Sequence, residues 1–237
     1  MERTLTIAHR FHGPADAGNG GYVAGRLAGL VGGPAEVTLR LPTPLDRPLG
    51  IERTASGTVH LLDGDALLAE ARPAEPALSL PTPVDVATAK AAGEVGRARQ
   101  AERNLFPTCF VCGPARAAGD GLRMLLGPVG NGLFAGPWRP HANFAGDDGS
   151  IDPVFVWSAL DCPSAMAVSE GREEMLLLGR ITARVDRCPR PGEETVVMAW
   201  ALRHDGRRSE AASALFDASG ACLALARALW FRPKPGF

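Results

Sequence analysis

Apolar and polar positions alternate with a period of two along several short stretches of the chain and change to a helical period in two longer ones. The alternation predicts a strand over residues 3–11, "RTLTIAHRF", and a helix over "NGGYVAGRLAGLV", opened by a glycine-rich turn. Four strands follow, "EVTLRL", "GIERT", "TVHLL" and "ALLAEAR", with turn signals at Ser56-Gly57 and Asp63-Gly64. In the second half "GLRMLLGPV" begins as a strand and "DPVFVWSAL" begins a helix. Strands then run through "MLLLGRITARV", "ETVVMAWALR", "RSEAASALF" and "CLALARALWF", with turns at His204-Asp205-Gly206 and Ser219-Gly220.

One strand, one helix and four strands joined by short turns therefore occur twice. "ALLAEAR" (Ala66 to Arg72) and "ACLALAR" (Ala221 to Arg227) agree at five of seven positions. Each copy has a Pro-x-Pro turn upstream, at Pro42 and Pro44 and again at Pro189 and Pro191, after a strand-like run. The recurrence of order and type predicts a duplicated α+β unit, an antiparallel sheet covered by a long helix in each half. Between the halves "RPAEPALSLPTPVD" has a linker composition, and the Ala-rich "VATAKAAGEVGRARQAER" predicts a helix. The expected division is a first domain over 1–100, linker included, and a second over 101–237.

Composition narrows the function classes. With 46% hydrophobic and 22% charged residues the chain has the make-up of an ordinary globular protein. A formal net charge of -1 gives no electrostatic reason to bind nucleic acid or an anionic membrane. The start "MERTLTIAHR" is charged where a signal peptide is apolar, and no apolar run approaches a membrane span, so a cytoplasmic location is expected. Five cysteines is an odd number, which fits reduced thiols better than a disulfide framework.

Asp161 is the residue that most needs explaining. It lies in "VFVWSALDCPSA", on the same helical stripe as Val154, Trp157, Ala165 and Val168. A carboxylate buried without a partner costs several kcal/mol. Two readings remain open: a base facing an apolar pocket, or an N-cap where a helix restarts at Cys162-Pro163. The "GNGGYV" turn is open in the same way. Its amides suit an anion or a polarised carbonyl, and Asn19 equally suits a simple N-cap. The dinucleotide pattern fails there, since Val23 stands where the third glycine belongs. Cys109 and Cys112 form a Cys-x-x-Cys, but no second pair exists and Cys162, Cys188 and His141 fall singly along the chain, so no metal is expected. A redox pair is no better supported, because no βαβ pattern surrounds the motif. No Gly-x-Ser-x-Gly elbow is present. His141 and Asn143 are candidates for a pocket mouth or for solvated loop positions.

The glycine-opened helix "NGGYVAGRLAGL" and the Leu-Asp of "SALDCPSA" resemble motifs of the double-hotdog acyl-CoA thioesterases, the TesB-like or thioesterase-like superfamily. The resemblance implies two tandem hotdog domains, each a sheet wrapped around a central helix. It also implies that Asp161 positions the water attacking a thioester, that the Gly20 and Gly21 amides polarise the carbonyl, and that Asn19, Tyr22 and Trp157 belong to the substrate site. That family usually adds a hydroxyl residue and a glutamine from later strands. Here Arg227 or Ala228 stands near the glutamine's position, and Ser209 and Ser213 are the hydroxyls on the preceding strand. The hotdog dehydratases' Asp-x4-His is missing, since Thr4, Ile7, Ala55, Gly136 and Ala199 precede the five histidines by five places. The expected function is hydrolysis of a small or fatty acyl-CoA, with CoA as part of the substrate and no fixed cofactor. The alternative is a non-catalytic acyl- or CoA-binding hotdog protein. A homo-oligomer is left open.

Overall fold

The computed structural model describes residues 4–102, 105–170 and 175–233; Arg3 and Arg103, at the ends of two expected elements, lie outside them. Strand β1 (Thr4–Thr6) passes through a 3-10 turn into helix α1 (Gly20–Val31), which leads to β2 (Ala35–Leu39), β3 (Pro48–Arg53), β4 (Val59–Asp63) and β5 (Ala66–Pro73). Helix α2 (Val86–Glu102) follows the proline-rich linker. The second half comprises β6 (Gly127–Gly130), β7 (Leu133–Trp138), helix α3 (Pro153–Val168), β8 (Leu177–Val185), β9 (Thr195–Asp205), β10 (Arg208–Asp217) and β11 (Cys222–Phe231).

These strands make one sheet in the order β1-β3-β4-β5-β2-β8-β11-β10-β9-β7-β6. The order is symmetric about the β2–β8 junction: β5 answers β11, β4 answers β10, β3 answers β9 and β1 answers β7, with β6 added outside. "ALLAEAR" forms β5 and "ACLALAR" leads into β11, so the repeated segments take matching places. The class is α+β, and each hotdog half wraps its sheet around its own central helix.

The halves join edge to edge through antiparallel pairs from Ala35↔Ala183 to Thr38↔Arg180. Alternation decides what this junction buries. Val37, Ile181, Ala35 and Ala183 turn inward with no exposure, while Arg180 donates to Thr38 on the outer face at 3.1 Å. Pairing here removes two sheet edges that would otherwise be open to other chains.

Two expected strands need correction: among the described residues, the one expected over 3–11 keeps only Thr4–Thr6, and His9–Phe11 form a 3-10 turn. Residues 121–126 of "GLRMLLGPV" are not a strand: Leu122 and Met124 donate to the Phe110 and Val111 carbonyls of a neighbouring loop, and pairing starts only at Gly127. Strand β7 was not anticipated, because Gly136 and Pro137 weaken its pattern. Pro137 is tolerated because it lies past the end of the register with β6. The expected division at residue 100 falls inside α2, which packs on β6 and β7 of the second half. Among the described residues no helix is long and apolar enough to cross a membrane.

The junction carries a stability prediction. Ile181→Ala removes a fully buried side chain at the point where the halves meet, and should cost about 2–5 kcal/mol in urea unfolding. A loss below about 1 kcal/mol would show that the junction does not hold the halves together.

Candidate active site

The two central helices meet face to face, and glycine makes their approach close. Gly21 and Gly25, four residues apart on α1, lie over one another along a single face. A Cβ on Gly21 would stand 2.5 Å from the Asp161 Cβ, and one on Gly25 would stand 2.9 Å from the Trp157 Cβ. No larger residue fits at either place without moving α3.

This proximity delivers the α1 N-terminus to Asp161. The carboxylate is only 2% exposed, and its Oδ2 accepts from Asn19 Nδ2 at 2.9 Å and from the Gly21 amide at 3.0 Å. Asn19 is also the N-cap of α1, its Oδ1 accepting from the Tyr22 amide at 2.9 Å. One asparagine thus closes the helix end and orients the acid. Burial pushes the Asp161 carboxyl up to about 7, the nearby Cys109 sulfur adds to the rise, and the Gly21 and Asn19 donors oppose it. Its other oxygen, Oδ1, is buried without a hydrogen-bond partner. Such a group can accept a proton or hold a water.

The geometry revises two sequence readings. Asp161 does not cap a restarted helix: α3 runs unbroken through Pro163, and its N-cap is Asp152, which accepts from Val154 at 2.9 Å. The helix continues through Pro163 despite the hydrogen bond that proline removes, with α3 packed against α1 and the sheet. The Gly21 amide is also committed to Asp161, which leaves the carbonyl-polarising role expected of the pair to Gly20. Gly20 lies beside the Leu39 and Leu178 side chains.

Tyr22 and Trp157 are both buried. Tyr22 stacks on Phe11 with ring centroids 3.9 Å apart and meets Phe110 edge-on at 5.9 Å. Phe155 and Phe144 extend this aromatic cluster, 4.8 Å apart. Phe144 in turn lines a cavity of about 210 Å³ together with Arg97, Arg123, Arg139 and His141. The pocket-mouth reading therefore fits His141, while Asn143 donates to the Gly119 carbonyl at 3.2 Å. The three arginines come from separate segments, and no local motif announces them.

Sequence reasoning also missed a thiol cluster. Cys162, which falls alone along the chain, lies in space against the Cys-x-x-Cys, its Sγ 3.9 Å from that of Cys109. Among the described residues the Cys109, Cys112 and Cys162 sulfurs all lie within 4.8 Å of one another. Asn19 Nδ2 borders two of them, at 3.9 Å from Cys109 and 4.0 Å from Cys162.

The hydroxyls considered on β10 are engaged elsewhere. Ser213 Oγ donates to the Leu160 carbonyl at 2.6 Å, and Ser209 Oγ is 3.0 Å from His204 Nδ1. Arg227 is exposed and paired with Glu210, and Ala228 is buried.

No protein-family model matches the sequence, and no curated protein does. Solved structures match in fold over nearly the whole chain. A conserved protein of unknown function with a hot dog fold from Alicyclobacillus acidocaldarius aligns at TM-score 0.65 and 13% identity, over 98% of this chain and 94% of that one. A candidate thioesterase II from Thermobifida fusca aligns at 0.61 and 16%, over 98% and 92%. A tesB protein from Mycobacterium avium subs paratuberculosis aligns at 0.59 and 13%, over 93% and 89%. At these identities the likeness shows the fold.

Two glycines of α1 should respond to alanine in opposite directions. Gly21→Ala forces a methyl into Asp161 and should destabilise by about 1–3 kcal/mol. Gly29→Ala meets nothing within 4 Å and should stabilise by up to about 1 kcal/mol through helix propensity. Equal effects in denaturant titrations would disprove the close approach of α1 and α3.

Proposed function

On this double hotdog fold, we propose that the protein is a thioester hydrolase acting on an acyl-CoA. The observation that carries the reading is Asp161: a buried carboxylate on the second central helix, fixed by Asn19 and Gly21 of the first, with one oxygen unpartnered. A water held by that oxygen would attack the thioester carbon while Asp161 takes its proton. The carbon–sulfur bond then breaks, and the thiolate of CoA leaves and takes up a proton. The Gly20 amide would polarise the carbonyl as its oxygen gains charge. Tyr22 and Trp157 would give the acyl group apolar walls.

The arginine-lined cavity supports CoA as the carrier, since Arg97, Arg123 and Arg139 suit the phosphates of a nucleotide. Phe144 borders both this cavity and the aromatic cluster around Tyr22, a route by which one ligand would span both. A second reading, an acyl-CoA binder without hydrolysis, is favoured by the absence of a hydroxyl or glutamine partner for Asp161 among the described residues.

Thiol release from a panel of acyl-CoA esters tests the reading. Asp161→Asn should preserve the fold, since an amide oxygen can still accept from Asn19 and Gly21, while hydrolysis falls by about 100- to 10,000-fold. Hydrolysis at the original rate would remove Asp161 from the reaction. If neither form releases thiol but acyl-CoA raises the melting temperature of both, the binding reading takes its place.

The cavity is tested separately. Arg123→Gln should raise KM for acyl-CoA by about tenfold, the loss of one charge-assisted hydrogen bond, and leave KM unchanged for a short thioester lacking the nucleotide. An equal effect on both substrates would exclude phosphate recognition there.

A further inference from the structure

The thiol cluster beside Asp161 has no part in the reaction proposed above. Cys109 and Cys112 sit on a tight loop, and Cys162 is presented by the rigid central helix α3. Zinc–sulfur bonds of about 2.3 Å in a tetrahedral shell set neighbouring sulfurs about 3.8 Å apart. The Cys109–Cys162 separation of 3.9 Å already matches, and the full set, within 4.8 Å, needs only a small inward adjustment.

The loop that carries two of the thiols is tightly closed. Cys109 donates its amide to the Phe106 carbonyl at 3.0 Å, so the chain curls as it enters the Cys-x-x-Cys. Gly113 completes the curl by donating to the Cys109 carbonyl at 2.9 Å. A Cβ at Gly113 would stand 2.5 Å from that oxygen, so only glycine allows the turn to close so tightly. The loop is also anchored from outside, with Phe110 donating to the His12 carbonyl at 2.8 Å and Met124 donating to Val111 at 2.8 Å. Asn19 adds an amide directed at both Cys109 and Cys162.

We infer that Cys109, Cys112 and Cys162 form a binding site for one zinc ion, with three thiolate ligands and an oxygen donor on the Asp161 side. Each thiol releases its proton to solvent on binding. The fourth donor is a water on the side of Asp161 Oδ2, which is 4.0 Å from Cys162 Sγ, separate from the water that Oδ1 would hold for the reaction. Thiolate donors select zinc over magnesium or calcium, which prefer oxygen. The ion ties the 106–116 loop, the α1 N-cap and the middle of α3 into one unit. The proposal departs from the expectation of no metal, which rested on the lack of a second Cys pair and on Cys162, Cys188 and His141 falling singly along the chain.

The test reads metal and does not depend on thioesterase activity. Full-length protein, reduced and stripped with a chelator, is titrated with zinc alone and then with cobalt(II) as a spectroscopic probe. One zinc per chain is expected, and the cobalt form should show intense thiolate-to-metal charge-transfer bands. Cys109→Ser, Cys112→Ser and Cys162→Ser should each weaken zinc binding by about 100-fold or more, beyond the usual effect of losing an outer hydrogen bond. Cys188→Ser and Cys222→Ser should leave it unchanged. If a serine variant does not fold, the wild-type cobalt spectrum decides alone. Folded, reduced protein that binds no zinc, a cobalt form without charge-transfer bands, or binding that survives Cys162→Ser would overturn the inference.

Discussion

The contact between α1 and α3 governs the centre of this molecule. Two glycines remove the side chains that would hold the helices apart, and a carboxylate fills the gap and bonds to the buried amide end of the opposite helix. A helix N-terminus carries partial positive charge, so an anion is favoured there even when water is excluded. Desolvation still dominates and keeps the acid close to neutrality. Holding a buried acid near its proton-exchange point requires both effects, and only helices this close supply both.

That contact depends on the sheet around it. The strand order places β2 and β8 side by side at the middle, and each is the strand that follows a central helix. Pairing them therefore brings α1 and α3 together. The same topology sends α2 to the far side, onto β6 and β7, where Gly96 and Gly127 allow backbone to lie on backbone.

Features set by neighbouring residues were legible in the sequence. Asn19 before two glycines signalled a helix start, alternation located β2 to β5 and β8 to β11, and the apolar surroundings of Asp161 marked it as unusual. Features set by distant parts of the chain were not. Cys162 meets Cys109 across 53 residues, and no spacing rule covers a loop meeting a helix interior. The arginines of the cavity converge from α2, an irregular stretch and the end of β7. Strand β7 was hidden by a glycine and a proline that its neighbours accommodate. The partner of the Gly21 amide could be known only once the helices were placed.

Duplication usually implies two of everything, and here the helix caps show otherwise. Asn19 and Asp152 are the N-caps of α1 and α3, so they set a common frame for the two helices. Nine positions beyond its cap α3 carries Asp161, whereas α1 carries Ala28, which is buried and has no group to exchange a proton. The pseudo-twofold axis thus relates one chemically equipped position to one blank. The first copy has become a scaffold that supplies donors, and the second keeps the acid. Among the described residues, these matched helix positions hold one buried acid per two folding units.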